Sequence, residues 1–391
     1  MLALGILGGS AAAAQEQVMV PPLWYSGDTH AHVQLCGDVS DLALDDIYAQ
    51  QVQNGLDLVH VLLWANDEGE QGIPAYYLNY APLVTGTEAP LTQGDPDHTI
   101  QYGVEVSMFA ASDFGHLIAI NVADGAFPNE VYPAPILDFF QAQPGALTGY
   151  AHARWYDGYG RIVPSLLPHV GAAMAPIDTA LGRVDFLEAA AFSPTPGLSL
   201  EGLYYKLLNA GLRVALTGGS DNTCIAASTG SPRAYAFVDS DPLTLGKWAA
   251  AVRSGRSTVA SDEHTFLNLS VQGMGIGDQL SLSEPGLVQV VARLRVTPGV
   301  AKAGNVEIVL DGNVVGTLPY DLPDGGVVAF TLNLQLDRSG WIAARTDQLE
   351  HTSAIYAIVA GQPICRALDA SYWVTLCDDM IANIEEFELD G

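Results

Sequence analysis

The sequence predicts an α/β domain with a mostly parallel sheet or barrel, followed by a β-sandwich, and three observations predict it. Between residues 41 and 255, near-continuous apolar runs of strand length alternate with amphipathic helical stretches, the rhythm of βαβ units. After about residue 265 the runs become short, alternating and β-branched, separated by Gly, Pro, Asn and Asp, as in a sandwich of about 100 residues. His, Glu and Asp residues recur at the ends of the predicted strands, the edge where parallel α/β folds collect their active sites. The 391 residues exceed what most single cores hold, so two domains are expected.

Leu23 to Gly27 reads as a short buried strand leading into Gly27-Asp28-Thr29-His30-Ala31-His32. Residues 41–55 read as a helix: Asp41 can cap it, Leu42, Leu44, Ile47, Tyr48 and Val52 form the apolar stripe, and Gly55 ends it. Residues 56–63 are apolar almost throughout, which suits a strand buried on both faces. Further strands are predicted in HLIAINV, ALTGYA, VDFLEAAA and RVALTGGS, and helices over 198–210 and 243–254. In the second half, Asp311-Gly312-Asn313 between two apolar runs is a hairpin signal. The expected division is a leader over residues 1–22, an α/β domain over 23–265, a sandwich over 266–365 and a loosely held acidic tail over 366–391.

The formal net charge is −29 and only Lys206, Lys247 and Lys302 are lysines, a balance that repels phosphate backbones and disfavours nucleic-acid or anionic-membrane partners. Leu2 to Ala14 is an apolar run ending in small residues, which reads as a secretory signal although no basic segment precedes it. The run is too short to span a bilayer, so a secreted or periplasmic protein without a membrane span is expected. Four cysteines in an exported chain are compatible with two disulfides. Cys365 and Cys377 are candidates to pair, and Cys36 and Cys224 read equally as a disulfide, thiolate ligands or small buried residues.

His30 and His32 carry the strongest chemical signal. Residues two apart on a strand share a face, so H-x-H at a strand end aims two imidazoles at one point, an arrangement suited to zinc, iron or manganese. Glu105 lies on a short predicted strand, His116 opens the strand HLIAIN, His152 ends ALTGYA, and Asp221 ends RVALTGGS after two glycines. Taken singly, each has an ordinary reading as a core histidine, a paired carboxylate or a helix cap. Their common placement at strand ends points instead to an open nitrogen and oxygen ligand set. His60, inside an apolar run, reads as a core histidine.

In this order, H-x-H, G-x-E, a Gly-His, a strand ending in Ala-His and then Gly-Ser-Asp, the chain resembles the PHP superfamily (polymerase and histidinol phosphatase type), and within it the CehA/McbA-like subgroup. The stretches SPRAYAFVDSDPLTLGKWAAAVRSGRSTVAS, LNLSVQGMGIGDQL and WIAARTDQLEHTSAIYAIVAGQPI carry the subgroup likeness, which spans roughly residues 24 to 365. The resemblance implies a distorted (β/α)7 PHP-type barrel, a C-terminal β-sandwich, and a centre of divalent metal ions. By position it assigns His30, His32, Glu105, His116, His152 and Asp221 as ligands, with Glu105 bridging two ions. Two departures reduce the expected centre from three ions to two, or to one ion plus a weak second site: Leu63-Trp64-Ala65-Asn66-Asp67 stands where the family often has Thr-Asp-His, and Asp221-Asn222-Thr223 where many have Asp-x-His.

The expected activity is hydrolysis of an ester-type bond in a small-molecule substrate: carboxyl ester, carbamate or phosphoester. Bound Zn, Mn or Fe would lower the pKa of a water from about 15.7 to about 7. His152 or Asp221 could handle protons, and Arg154 or Arg233 could bind an anionic group or a developing oxyanion, with Trp155, Tyr156 and Tyr159 as candidate pocket walls. The contrasting expectation is an exported binding protein with a degenerate or structural metal site.

Overall fold

The computed structural model describes residues 20–34, 41–65, 73–107, 115–130, 132–153, 172, 174–189, 201–222 and 228–389. The apolar run at residues 2–14, Cys36 and Cys224 lie outside them.

The chain is a mixed α/β protein built on one large sheet with few helices. The first half contributes β1 (Trp24–Ala31), α1 (Leu44–Asn54), β2 (Leu58–Ala65), α2 (Ala75–Tyr80), β3 (Thr99–Val106), β4 (Leu117–Ile120), α3 (Pro133–Gln141), β5 (Leu147–Tyr150), α4 (Ala175–Ala180), β6 (Phe186–Glu188), α5 (Lys206–Asn209), β7 (Ala215–Thr217), β8 (Arg233–Phe237), α6 (Leu245–Arg253) and β9 (Ser257–Ala260). Helix α1 ends where expected, at Gly55 in the left-handed region (φ 56°). Its cap is Ala43 and not Asp41, because Asp46 in the first turn reaches back to accept the Ala43 N–H at 2.8 Å.

Strands β1, β2 and β3 run parallel, as do β5, β6 and β7. Between these groups β4 runs antiparallel to both β3 and β5, unlike the mostly parallel order expected. The β1–β7 path is curled. Leu58 and Leu62 of β2, Ile118 and Ile120 of β4, Phe186 of β6 and Ala215 of β7 form one apolar cluster around Trp248 of α6. Trp248 donates its indole N–H to Tyr25 O at 3.1 Å, and a Cβ on Gly27 would stand 2.5 Å from its ring, so glycine is needed there. After β7 the chain comes back beside β1 through Thr29 N–H to Gly218 O (3.3 Å) and Asp221 N–H to His30 O (2.7 Å). No β7–β1 ladder is formed among the described residues, so these pairings do not by themselves make a seven-unit barrel.

The second half adds β10 (Thr265–Val271), β11 (Met274–Gly275), β12 (Gln279–Leu282), β13 (Gly286–Val296), β14 (Lys302–Leu310), β15 (Asn313–Leu322), β16 (Gly326–Leu336), β17 (Gly340–Thr346), β18 (His351–Thr352), β19 (Ile355–Val359) and α7 (Ala367–Leu389). The β14–β15 hairpin turns on Asp311 (φ 51°) and Gly312 (φ 85°), the two positive φ values of a type I′ turn. A four-stranded sheet, β11-β10-β13-β16, packs on β14, β17 and β19 through Phe266, Leu294, Ile308, Leu336, Ile342 and Ile355. Those three strands belong to the large sheet, which is continuous across residue 265 through the β9–β18 pair.

Residues 367–389 form a helix where a loose acidic tail was expected. Trp373 and Leu376, three apart and so on one helix face, are buried in the first-half core, and Asp369 accepts a hydrogen bond from Asn209 Nδ2 at 3.0 Å. Cys365 and Cys377 are both free thiols, against the expected disulfide. Cys377 sits ten residues into α7, roughly 15 Å along its axis. A disulfide needs Cα atoms within about 7 Å. No described helix is long and apolar enough to cross a membrane.

Candidate metal centre

Strands β1, β3, β5, β6 and β7 point the same way and end at one edge of the curled sheet. Because β4 runs the other way, the residue that precedes it, His116, reaches that same edge. His30 lies in β1 and His32 just beyond it, Glu105 near the end of β3, and His152 two residues after β5. Asp221 follows β7 by four residues. His152 (φ 31°) and Asp221 (φ 43°) both occupy the left-handed region that non-glycine residues seldom adopt.

Four acceptor atoms face one another there. His30 Nε2 lies 3.0 Å from His32 Nε2 and 3.2 Å from Glu105 Oε2, and His32 Nε2 lies 3.0 Å from the same Glu105 oxygen. Asp221 Oδ1 stands 3.8 Å from His30 Nε2 and 3.6 Å from His32 Nε2, buried and accepting no hydrogen bond among the described residues. The ring protons are committed elsewhere: His30 Nδ1 meets Glu188 Oε2 at 3.0 Å and His32 Nδ1 meets Leu62 O at 3.2 Å. Both partners only accept, so each Nδ1 carries a proton, and in the neutral ring each Nε2 turns a lone pair inward. Converging lone pairs repel unless a proton or a metal ion sits among them, and without metal the raised pKa of His30 puts a proton there. Four ligands at about 2.0–2.1 Å from a tetrahedral ion would be spaced about 3.3 Å apart, the middle of the observed range. The donors present therefore fit a divalent ion.

Glu105 faces a second group with its other oxygen. Oε1 lies 2.9 Å from His116 Nδ1 and 3.8 Å from His152 Nε2. Among the described residues the ligand sets close enough to hold an ion are His30, His32, Asp221 and His30, Glu105, His152. Every one of these residues is buried except His116, whose side chain is 14% exposed.

The charges are mutually dependent. Burial alone would lower the His30 pKa, yet Glu188, Glu105 and Asp221 outweigh it and hold the imidazole well above its ordinary value. Burial opposes ionisation of Glu105 and Glu188, but His30 and the surrounding histidine hydrogen bonds pull both below the usual carboxylate range. Burial depresses His152. In the layer beneath, burial pushes Asp28 up to about 6. Its carboxylate nonetheless accepts His30 N–H, Ser220 N–H, Ser220 Oγ–H and Gly230 N–H, stitching β1 to the turn after β7. Thr223, where the Asp-x-His pattern has its histidine, lies outside the described residues, and Asn222 before it accepts His32 N–H at 2.8 Å and so positions a ligand. Trp64, at the other departure, packs into the first-half core.

The other expected participants are placed otherwise or lie outside the described residues. Arg233 is 1% exposed, and its guanidinium is turned into the protein. It donates to Gly230 O (2.7 Å) and Asn54 O (2.9 Å) and faces Glu263 (3.6 Å), a structural tie between β8 and the end of α1. Its placement does not support the substrate-binding role expected of it. Arg154, Trp155, Tyr156 and Tyr159 lie outside the described residues. Sequence reasoning missed Glu188, the last residue of β6. A lone carboxylate in the apolar run Phe186-Leu187-Glu188-Ala189 was the available signal, because a buried charge requires a partner.

No protein-family model matches this chain, and no curated protein does. Among solved structures it is similar to a β-glucosidase from Listeria innocua in complex with glucose, at 13% identity and a TM-score of 0.20, over 81% of this chain and 39% of that one. The same enzyme in complex with isofagomine matches at 14% identity and a TM-score of 0.20, over 82% of this chain and 39% of that one. This chain thus spans about two fifths of the length of those enzymes. Likeness at that TM-score bears on neither fold nor function.

Proposed function

We propose that this chain is a metal-dependent hydrolase that cleaves an ester-type bond, carboxyl ester, carbamate or phosphoester, in a small molecule, on a variant of the PHP-type barrel. One observation carries the reading: buried His, Glu and Asp ligand atoms from four strand ends converge within about 4 Å of one another, and Glu105 turns each oxygen toward a different set of histidines. His30, His32 and Asp221 would hold one divalent ion, His152 a second, and Glu105 would lie between them. Zinc, manganese or iron bound there would supply a water acidified to near neutrality and an electrophile for the oxygen of the scissile group. The chain's own groups do the rest. Glu188 and Leu62 O fix the tautomers of His30 and His32. Asn222 and Asp28 hold the backbone of the His30–His32 segment. The burial of the carboxylates keeps bulk water from solvating them, which strengthens each interaction with a bound ion. His116 is the most exposed member of the cluster among the described residues, at 14% of its side chain.

Deep burial of the other ligands also favours a second reading, a structural ion in an exported binding protein. Hydrolysis of a phosphate monoester, a phosphate diester and an aryl ester by the zinc- or manganese-loaded protein decides between them. The hydrolase reading expects turnover of at least one, reduced to a tenth or less in a folded His30→Ala variant. A fully active His30→Ala variant would sink it.

A further inference from the structure

Glu188 does more than neutralise a neighbour. One of its oxygens, Oε2, receives two hydrogen bonds at once: His30 Nδ1–H at 3.0 Å and the backbone N–H of His152 at 2.9 Å. The other, Oε1, receives Thr29 Oγ–H at 3.3 Å. The residue is fully buried at the end of β6, between β5 and β7, and reaches across to β1. One carboxylate thereby ties a ligand on β1 to a ligand in the turn after β5. The second tie falls on a residue at φ 31°, a backbone state that non-glycine residues hold only when their surroundings fix it. The chain after β7 is shaped to the same pair. A Cβ on Gly219 would come within 2.3 Å of Glu188 Oε1 and 2.4 Å of His30 Cβ, so only glycine passes there.

We propose that Glu188 is a positioning residue of the centre, locking His30 to His152 and so setting the distance between the two ion positions. The proposal rests on the metal-centre reading above. His30 is shared by both close ligand sets, and His152 belongs to one. Loss of the clamp frees the His30 ring to turn and lets the His152 backbone relax, which weakens both ions and not one.

The test is zinc binding by chelator competition on the full chain, with ions per chain counted separately. Outer residues that orient ligands typically contribute 10–100-fold in metal affinity, and that loss is expected for both ions in Glu188→Ala. Glu188→Gln keeps a carbonyl oxygen where Oε2 stands, and is expected to restore affinity to within tenfold of wild type. A folded Glu188→Ala that binds both ions as wild type does overturns the clamp. So does a Gln variant as weak as the Ala variant, because charge and not position would then be what Glu188 supplies. Should Glu188→Ala not fold, Gly219→Ala crowds the same pair without removing a polar group: weakened binding is expected, and wild-type binding overturns the proposal. Nitrogen NMR of the zinc-loaded wild type adds a test that needs no variant: His30 should carry its proton on Nδ1, and a bare Nδ1 contradicts the clamp. A wild-type chain that takes up no zinc overturns the centre itself, whereas wild-type uptake with an indifferent Glu188→Ala overturns the clamp alone.

Discussion

His30 and His351 are both buried, one at the ligand edge of the curled sheet and the other at the seam where β18 joins β9, and their protons behave in opposite ways. At the seam, Tyr205 Oη donates to His351 Nε2 at 2.7 Å and His351 Nδ1 meets Thr352 O at 2.7 Å, so both ring nitrogens of a neutral imidazole are satisfied. Burial then pushes its pKa down to about 4. At the ligand edge three carboxylates surround His30 and hold it well above its ordinary value, against the same burial. A buried histidine is a core residue where its partners complete a neutral ring. It marks a cation site where acceptors outnumber donors.

The largest effect expected from this contrast is on activity and metal content. His30→Ala should leave a tenth or less of wild-type turnover and fewer ions per chain, while a seam variant, Tyr205→Phe, should change neither. Elemental analysis and kinetics on the two proteins check this, and equal loss in both would erase the distinction.

Next is the pH dependence of stability measured in chelator, where His351 and His60 act alike. Burial holds each near 4 in the folded state, against about 6.5 when unfolded. Between those values the unfolded chain binds protons that the native chain does not. Their contribution is therefore complete above about 6.5 and is lost as pH falls toward 4, by roughly 3 kcal/mol for each residue. Urea midpoints should drop over that window, and less steeply in His351→Gln. A midpoint unchanged from pH 7 to 4.5 would contradict the assigned neutral state.

Zinc added at about a hundredfold over its Kd should stabilise wild type by about 2.7 kcal/mol for each ion bound and His30→Ala by much less. Thermal unfolding with and without zinc reads this directly, and an equal upward shift in both proteins would place the ion elsewhere. The mildest expected effect belongs to Tyr205→Phe, which leaves a buried ring nitrogen without its donor at a cost of roughly 1–3 kcal/mol and leaves the zinc shift intact.

Much of this was legible in the sequence. The apolar runs at β2, β5, β6 and β7 marked strands buried on both faces, and His30, His32, Glu105, His116, His152 and Asp221 all lie at the ligand edge. Strand direction was not legible, because a short buried strand has no periodicity that differs between parallel and antiparallel neighbours. That is why β4 came as a reversal, and why His116 serves the edge from the start of a strand. Glu188 was hidden inside an apolar run that reads as plain strand. Arg233 looked available because basic residues are usually exposed, yet Gly230 O and Asn54 O claim it. The acidity of residues 366–391 masked Trp373 and Leu376, whose spacing by three is the helical signal that docks α7.

The most direct test of the central claim is the number of divalent ions per chain after equilibration with zinc, manganese and iron and removal of the excess. Two tightly held ions in wild type, with fewer in His30→Ala, is the result expected of a centre built on Glu105. No retained ion in a folded wild-type chain would contradict it, and would leave the converging lone pairs of His30 and His32 to be balanced by protons alone.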